Sequence, residues 1–346
     1  MVDVLETLIK ASNRAAAIAR SCCFDSNESL LVAEKGDREA NARFDKDFKT
    51  IADVLAQESA RALIAERFPE LGMHVKGEEC AEIDGVCIKL LGSPDKTAQL
   101  LQSLVPPVVA KRLAEAAHSD PECDNKSLNI PSDMPPINPA DLGIWIDPID
   151  ATAEFIAGVC GDAGPESGLP CVTVLIGAYL RSTGEPVVGV INQPFYDDKK
   201  DHIVWGFCYG ETKKWGGSNN LNKANDNNKI ILMSSTEVPK IIDKLKASGW
   251  NMKSLPGAGH KLMKVALGDA AAYIVSKGTT YRWDTCAPHA ILKAQGGNVL
   301  CYTTHNNITY NEEHTDIQKY CNSDGIIAYN KSSVFEDIRE ILKNPF

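Results

Sequence analysis

The tightest constraint on this chain is the change of chemistry within WIDPIDATAEF, Trp145 to Phe155. The apolar run Gly143-Ile144-Trp145-Ile146 reads as a buried strand, and it ends in Asp147. Pro148, Ile149 and a second carboxylate, Asp150, come next, then Ala151 and Thr152. Buried carboxylates are costly unless they are paired or bound to metal. A DPxD turn at a strand end would present both carboxylates and the Ile149 carbonyl together, and oxygen ligands of this kind suit Mg²⁺. Ala151-Thr152 would then open a helix whose free backbone N–H groups make an anion site. The competing reading is an Asp-Pro surface turn with Asp150 as a helix N-cap. From this stretch alone both readings stand.

The totals narrow the class. A chain of 346 residues has room for two compact lobes or one large α/β unit. Hydrophobic residues at 44% and charged residues at 24% are ordinary for a soluble globular protein. A net charge of -10 argues against broad nucleic-acid binding or an anionic membrane surface. It leaves room for a small anionic substrate, because a bound metal reverses the local field. No apolar run is long enough to cross a bilayer. The start, MVDVLETLIK, carries Asp3 and Glu6 and reads as no signal peptide. Eleven cysteines without zinc-type CxxC pairs read as reduced thiols, so a cytoplasmic location is expected.

Periodicity predicts helices over Val4 to Cys22 and Phe48 to Phe68, and a short strand at Met73 to Val75. Residues 81–140 read as an insertion with helices at Thr97 to Leu104 and Val108 to His118, then a loop from Ser119 to Pro139. β-like runs follow at Cys171 to Tyr179, Val187 to Asn192 and His202 to Cys208. Lys213 to Lys229 reads as a polar linker, dividing a lobe 1–225 from a lobe 226–346. In the second lobe strands at Ile230, Ala272 and Ile326 alternate with helices at Val238, His260, Thr285 and Val334, a layered α/β pattern.

Other candidate pieces are weaker singly. Glu78 and Glu79 follow the short strand, and one of them could complete a metal shell or orient a water for catalysis; a solvated acidic loop is the plain alternative. Asp284 opens a helix and could be a ligand or an ordinary N-cap. Asp53 sits in a helix whose Ile51, Val54 and Leu55 point inward, so its plain reading is the outer face. In Gly257-Ala258-Gly259-His260-Lys261 the glycines permit close backbone approach and Lys261 supplies positive charge.

The ordered set KTIAD, GEE, WIDPIDAT, GAGHK and WDTCAPHAIL resembles the lithium-sensitive, magnesium-dependent phosphomonoesterase superfamily of inositol monophosphatase and fructose-1,6-bisphosphatase. The resemblance extends over nearly the whole chain. FKTIADVLAQE, the long insertion, SGLPCVTVLIGAY and GVINQPF draw it toward the members that act on inositol polyphosphates.

The resemblance implies a layered α/β/α/β/α sandwich with a metal site between two lobes. It implies that Glu78, Asp147 and the Ile149 carbonyl hold one Mg²⁺ and that Asp147, Asp150 and Asp284 hold a second, with Glu78 and waters available to a third. Asp53 and Thr152, with Glu78 as a third catalytic residue, would orient and deprotonate the attacking water, the Ala151 and Thr152 amides would cradle the scissile phosphate, and Glu79 would act from behind the ligands. Gly259, His260 and Lys261 would meet the substrate. Lys277 stands where inositol monophosphatases place a ring-binding Glu, seven positions before the WD aspartate, and is a second candidate after Lys261 for meeting the uncleaved phosphate, with a surface lysine as its plain reading. The implied reaction is lithium-inhibited removal of the 1-phosphate from inositol 1,4-bisphosphate, and from inositol 1,3,4-trisphosphate, by a monomer with no nucleic-acid or membrane partner. A 3'(2'),5'-bisphosphate nucleotidase and a catalytically inactive inositol-phosphate-binding protein remain as alternatives.

Overall fold

The computed structural model describes residues 3–23, 30–36, 39–40, 47–197, 200–218 and 228–343. Helix α1 (Asp3–Ser21) buries the stripe Leu5, Leu8, Ile9, Ala15 and Ile18. Strands β1 (Val32–Glu34) and β2 (Phe48–Thr50) pair antiparallel, so the helix expected from Phe48 begins only at Ile51. The charged stretch before it lies partly outside the described residues. Thr50 caps α2 (Ile51–Arg67) by accepting from the Ala52 and Asp53 amides, while the Asp53 carboxylate accepts from the Thr50 amide. This reciprocal cap satisfies donors the helix would otherwise orphan.

A 3₁₀ turn, Pro69–His74, occupies most of the span expected as a strand, and β3 is Val75–Gly77. In the stretch expected as an insertion, β4 (Glu82–Ile83) and β5 (Val86–Cys87) form a hairpin ahead of α3 (Pro94–Leu101) and α4 (Pro107–Ala117). Both helices start on proline, whose missing N–H costs nothing at that position. Ile83, Leu101, Val109 and Leu113 share one core with α1 and α2.

Then come β6 (Leu142–Asp150), α5 (Thr152–Cys160), β7 (Thr173–Leu180), β8 (Pro186–Asp197), β9 (Lys200–Tyr209) and β10 (Thr212–Gly217). β10 corrects the expected linker: residues 213–217 pair with β9, from Lys213 opposite Cys208 to Gly217 opposite Val204, and a Cβ on Gly216 or Gly217 would strike the Trp205 ring or the Ile203 carbonyl. Residues 219–227 of the linker lie outside the described residues. The rest is β11 (Ile230–Met233), α6 (Pro239–Ala247), β12 (Asn251–Ser254), α7 (Ala258–Ala266), β13 (Ala272–Val275), α8 (Arg282–Gln295), β14 (Asn298–Cys301), β15 (Ile326–Tyr329) and α9 (Ser332–Lys343).

The strands form a six-stranded sheet, β10-β9-β8-β7-β6-β3, and a five-stranded sheet, β12-β11-β13-β15-β14. Alternation along them sorts side chains into three cores. Ile144 and Ile146 face α1 and α2, whereas Trp145 faces the other way, into a core shared with α7, α8 and the second sheet. Tyr273 and Val275 face that central core, and Ala272 and Ile274 face α6 and α9. The result is the expected α/β/α/β/α sandwich.

One groove fixes the middle layer. Gly177, Gly189 and Gly206 stand in register across β7, β8 and β9. A Cβ on Gly189 would lie 2.0 Å from the Ala287 carbonyl oxygen, and Cβ atoms on Gly177 and Gly206 would each lie 2.5 Å from α8 backbone atoms. Helix α8 therefore rests on bare sheet backbone, close enough to bring Asp284 to the end of β6.

Candidate metal centre

β6 does not turn at Asp147. It continues to Asp150, with Asp147 opposite Leu175 and Asp150 opposite Thr173, so the register against β7 shifts between them. The Asp-Pro signal marks a bulge inside a strand. Proline cannot donate to a ladder, and a bulge is where a sheet tolerates it. The first residue after the strand, Ala151, adopts the left-handed conformation at φ 69° and is the N-cap of α5; Asp150 is not. No side chain caps α5, which leaves its N-terminal amides for an anion.

Oxygens of Asp147, Asp150 and Asp284 all lie within 4.8 Å of one another, and all three residues are buried. Burial pushes every one of these carboxyls above the usual range. For Asp147 the charges of Glu78, Asp150 and Asp284 add to the rise, and for Asp284 those of Asp150 and Glu78 do. Asp150 is partly relieved by the Gly259 amide, which donates to its Oδ2 at 3.0 Å, and by Lys261. Thr173 donates to the same oxygen at 3.2 Å. Asp147 Oδ1 has no hydrogen-bond partner among the described residues. A buried, self-repelling triad with an orphaned oxygen fits a divalent cation, and its all-oxygen donor set suits Mg²⁺. Cys286 stays out of it: its Sγ lies in the groove over Gly177, a core position.

Asp284 is the third residue of α8, not its cap. Tyr281 occupies the cap, and its amide donates to Asp284 Oδ2 at 2.5 Å. Asp53 is not on an outer face either. It is buried, held by Thr50 on one oxygen, and its other oxygen accepts from the Thr152 hydroxyl at 3.2 Å. Burial lifts its carboxyl to about 6, against the pull of Thr50 and Lys35.

Glu78, Asp147, Ile149, Asp150, Ala151, Thr152 and Asp284 line one end of a cavity of about 480 Å³, and Asp53 stands behind Thr152, outside that lining. Ser234, Ser235, Ser254, Lys261, Tyr273 and Thr279 also line it. Lys261 is buried, donates to the Leu255 carbonyl at 2.9 Å and lies over the Tyr273 ring at 5.1 Å. Gly259 serves Asp150 rather than the cavity wall, and His260 sits against the Pro256 carbonyl at 3.3 Å. Lys277 is not among the lining residues; its ammonium donates to the Thr236 carbonyl at 2.8 Å.

The family model described as "Inositol monophosphatase family" matches residues 2–343. The chain belongs to the inositol monophosphatase family. Among its relatives, a Bos taurus inositol polyphosphate 1-phosphatase is 33% identical, over 97% of this chain and 96% of its own. A Homo sapiens 3'(2'),5'-bisphosphate nucleotidase 1 is 29% identical over 86% of this chain and 85% of its own. Among solved structures, the extragenic suppressor protein suhB from Bartonella henselae superposes with a TM-score of 0.58 at 18% identity, covering 99% of each chain. An IMPase/NADP phosphatase complexed with Mg²⁺ and phosphate gives 0.54 at 14% identity, over 91% of this chain and 87% of its own. The solved structures share the family fold.

Within this family architecture, several residues at the site carried no signal in the sequence reading. Lys35 is buried and places its ammonium 2.6 Å from Glu78 and 2.7 Å from Glu79, with Asp47 at 4.0 Å. Burial alone would lower its pKa, but the three acids hold it well above the ordinary value. Glu79 is nevertheless pushed up to about 8, because it is fully desolvated and shares that one ammonium with Glu78. Gln57 grips the Glu79 backbone at both ends, donating to its carbonyl at 2.6 Å and accepting from its amide at 2.9 Å. A local signal existed only for the Thr50 cap, the Thr-x-x-Asp spacing in KTIAD, and the helix expected from Phe48 passed over it.

Proposed function

We propose that this protein is a Mg²⁺-dependent phosphatase that removes the 1-phosphate of inositol 1,4-bisphosphate and of inositol 1,3,4-trisphosphate. The observation that carries the reading is the buried triad Asp147, Asp150 and Asp284 at the foot of the uncapped α5. The 33% identity to the bovine inositol polyphosphate 1-phosphatase over nearly both chains supports the substrate class.

Asp147, Asp150, Asp284, Glu78 and the Ile149 carbonyl would hold two or three Mg²⁺ ions. Bound Mg²⁺ would supply positive charge to the phosphate oxygens and acidify a water. The chain's own residues do the rest. The Ala151 and Thr152 amides at the start of α5 bind and orient the phosphate. Asp53, as a carboxylate, accepts the Thr152 hydroxyl proton, and Thr152 in turn accepts one from the attacking water. Lys261 meets the phosphate that is not cleaved. Glu79 and Lys35 fix the carboxylate of Glu78 from behind.

Lithium is expected to inhibit, because it matches Mg²⁺ in size with half its charge. Residues 1–225 and 226–346 are read as two lobes, a division supported by the described strands of each sheet falling on one side of it. All eleven cysteines are unpaired, which supports a reducing, cytoplasmic setting. Among the described residues no helix is long and apolar enough to cross a membrane. The protein is taken to act as a monomer.

The test is phosphate release from inositol 1,4-bisphosphate and adenosine 3',5'-bisphosphate, side by side, with and without Mg²⁺. Faster Mg²⁺-dependent release from the inositol substrate, leaving the 4-monophosphate, is the expected result. Preference for the nucleotide would replace the reading with the nucleotidase, and no release from either would leave an inactive binding protein.

A further inference from the structure

We infer that Gln318 is a positioning residue for the candidate metal centre, acting through a side-chain amide that ties Asp284's helix to the segment leading from Lys35. Gln318 lies in the 3₁₀ turn Ile317–Tyr320, far from the acids in sequence. Its Nε2 donates to the Ala40 carbonyl at 2.7 Å, and its Oε1 accepts from the Tyr281 hydroxyl at 2.8 Å. The amide has one orientation here. A carbonyl can only accept, so Nε2 must face Ala40; Oε1 then faces Tyr281, whose hydroxyl must donate.

Each partner leads to the centre. Tyr281 caps α8 and lines the cavity; its ring stacks on Trp283 with centroids 4.5 Å apart, and its amide holds the Asp284 carboxylate. Fixing the phenol therefore fixes the donor that aims Asp284. On the other side, Ala40 follows Glu39, which lines the cavity and pairs with Lys49 at 2.7 Å. Gly36 anchors this stretch, its carbonyl accepting from the Ala40 amide at 2.9 Å, directly after Lys35, which grips Glu78. One carboxamide thus links the supports of Asp284 and Glu78, ligands brought from distant parts of the chain. Groups that orient ligands in this way set metal affinity without touching the metal.

The inference rests on the metal-centre reading, and the probe is Mg²⁺ alone, titrated calorimetrically into the full-length protein without substrate. Tyr281→Phe removes the hydroxyl and keeps the ring stack. Gln318→Met keeps the shape and removes both hydrogen bonds. Each should weaken Mg²⁺ binding about threefold to tenfold. Because Gln318→Met already removes the hydrogen bond that Tyr281→Phe removes, the double variant should be no weaker than Gln318→Met, and the Mg²⁺-free proteins should melt within about 3 °C of the parent. Unchanged affinity in Tyr281→Phe, or losses that multiply in the double variant, would overturn the inference alone. Should Gln318→Met fail to fold, Tyr281→Phe decides by itself. A parent protein that binds no Mg²⁺ overturns the metal reading and the inference with it.

Discussion

The Thr152 hydroxyl donates to Asp53 Oδ1 across 3.2 Å and so joins the first turn of α5 to the first turn of α2. The same hydroxyl lies 3.2 Å from the Ile149 carbonyl, at the bulge of β6. A proton accepted at Thr152 therefore has a carboxylate waiting behind it. Thr152→Val keeps the shape and breaks this path, and Asp53→Asn removes its end. Either should lower kcat on the order of 10²–10⁴-fold with a much smaller change in KM. If both belong to one relay, as proposed, the double variant should be little worse than the worse single. Steady-state kinetics on inositol 1,4-bisphosphate decides this, and a kcat within twofold of the parent for Thr152→Val would remove Thr152 from the relay.

Asp147→Asn separates metal from fold. Asp147 is buried beside two other acids, and burial followed by Glu78, Asp150 and Asp284 raises its carboxyl well above the unfolded value. Such a group binds its proton more tightly folded than unfolded, so its contribution to stability is present at low pH and lost as pH rises above the ordinary Asp range. Asparagine carries no such dependence. The variant should thus melt higher than the parent in chelator at pH 8, and the difference should shrink toward pH 4. Mg²⁺ should raise the parent's melting temperature and leave the variant's unchanged, with activity abolished. Normal turnover by the variant at ordinary Mg²⁺ would sink the shared-ligand assignment.

The glycine groove predicts a defect at a distance. Gly189→Ala puts a methyl 2.0 Å from the Ala287 carbonyl, which belongs to helix backbone and cannot step aside alone. Helix α8 must lift or tilt, and Asp284 goes with it. A cost of about 1–3 kcal/mol is expected from overpacking, with kcat/KM falling alongside. Gly92→Ala, with nothing within 4 Å, serves as the control. Thermal melts and kinetics on the two variants check this; equal behaviour would mean that α8 does not depend on the groove.

What could be read from the sequence was whatever a short local pattern encodes. Ala272–Val275 and Ile326–Tyr329 form where short apolar runs between turn signals place them. Asn251–Ser254 is polar and pairs only at a sheet edge, so nothing local announced it. The carboxylates Asp147 and Asp150 stood out as a motif, but the proline between them signalled a turn, and only pairing with β7 keeps the backbone extended around it. Asp53 was misplaced because helical periodicity describes one buried face, whereas the first turn of α2 also abuts α5. Lys35 has no periodic signature at all. Its meaning comes from three acids, two of them more than forty positions away.

Lys261 is where substrate choice can be tested. With the 1-phosphate at the start of α5, the remaining phosphate of a bisphosphate needs positive charge elsewhere in the cavity. Lys261 is the one lysine or arginine among the described residues that line it. It is held against the Leu255 carbonyl and the Tyr273 ring, so little side-chain freedom is left to lose on binding. A charge-assisted contact to phosphate contributes about 1.5–3 kcal/mol, roughly tenfold to a hundredfold in affinity. Lys261→Ala should therefore raise KM for inositol 1,4-bisphosphate by that factor and leave inositol 1-monophosphate far less affected. Lys277→Ala should change neither, because Lys277 does not line the cavity and its ammonium donates to the Thr236 carbonyl. If Lys261→Ala weakened both substrates equally, the lysine would be supporting the cavity through Leu255 and Asp150 rather than reading the second phosphate.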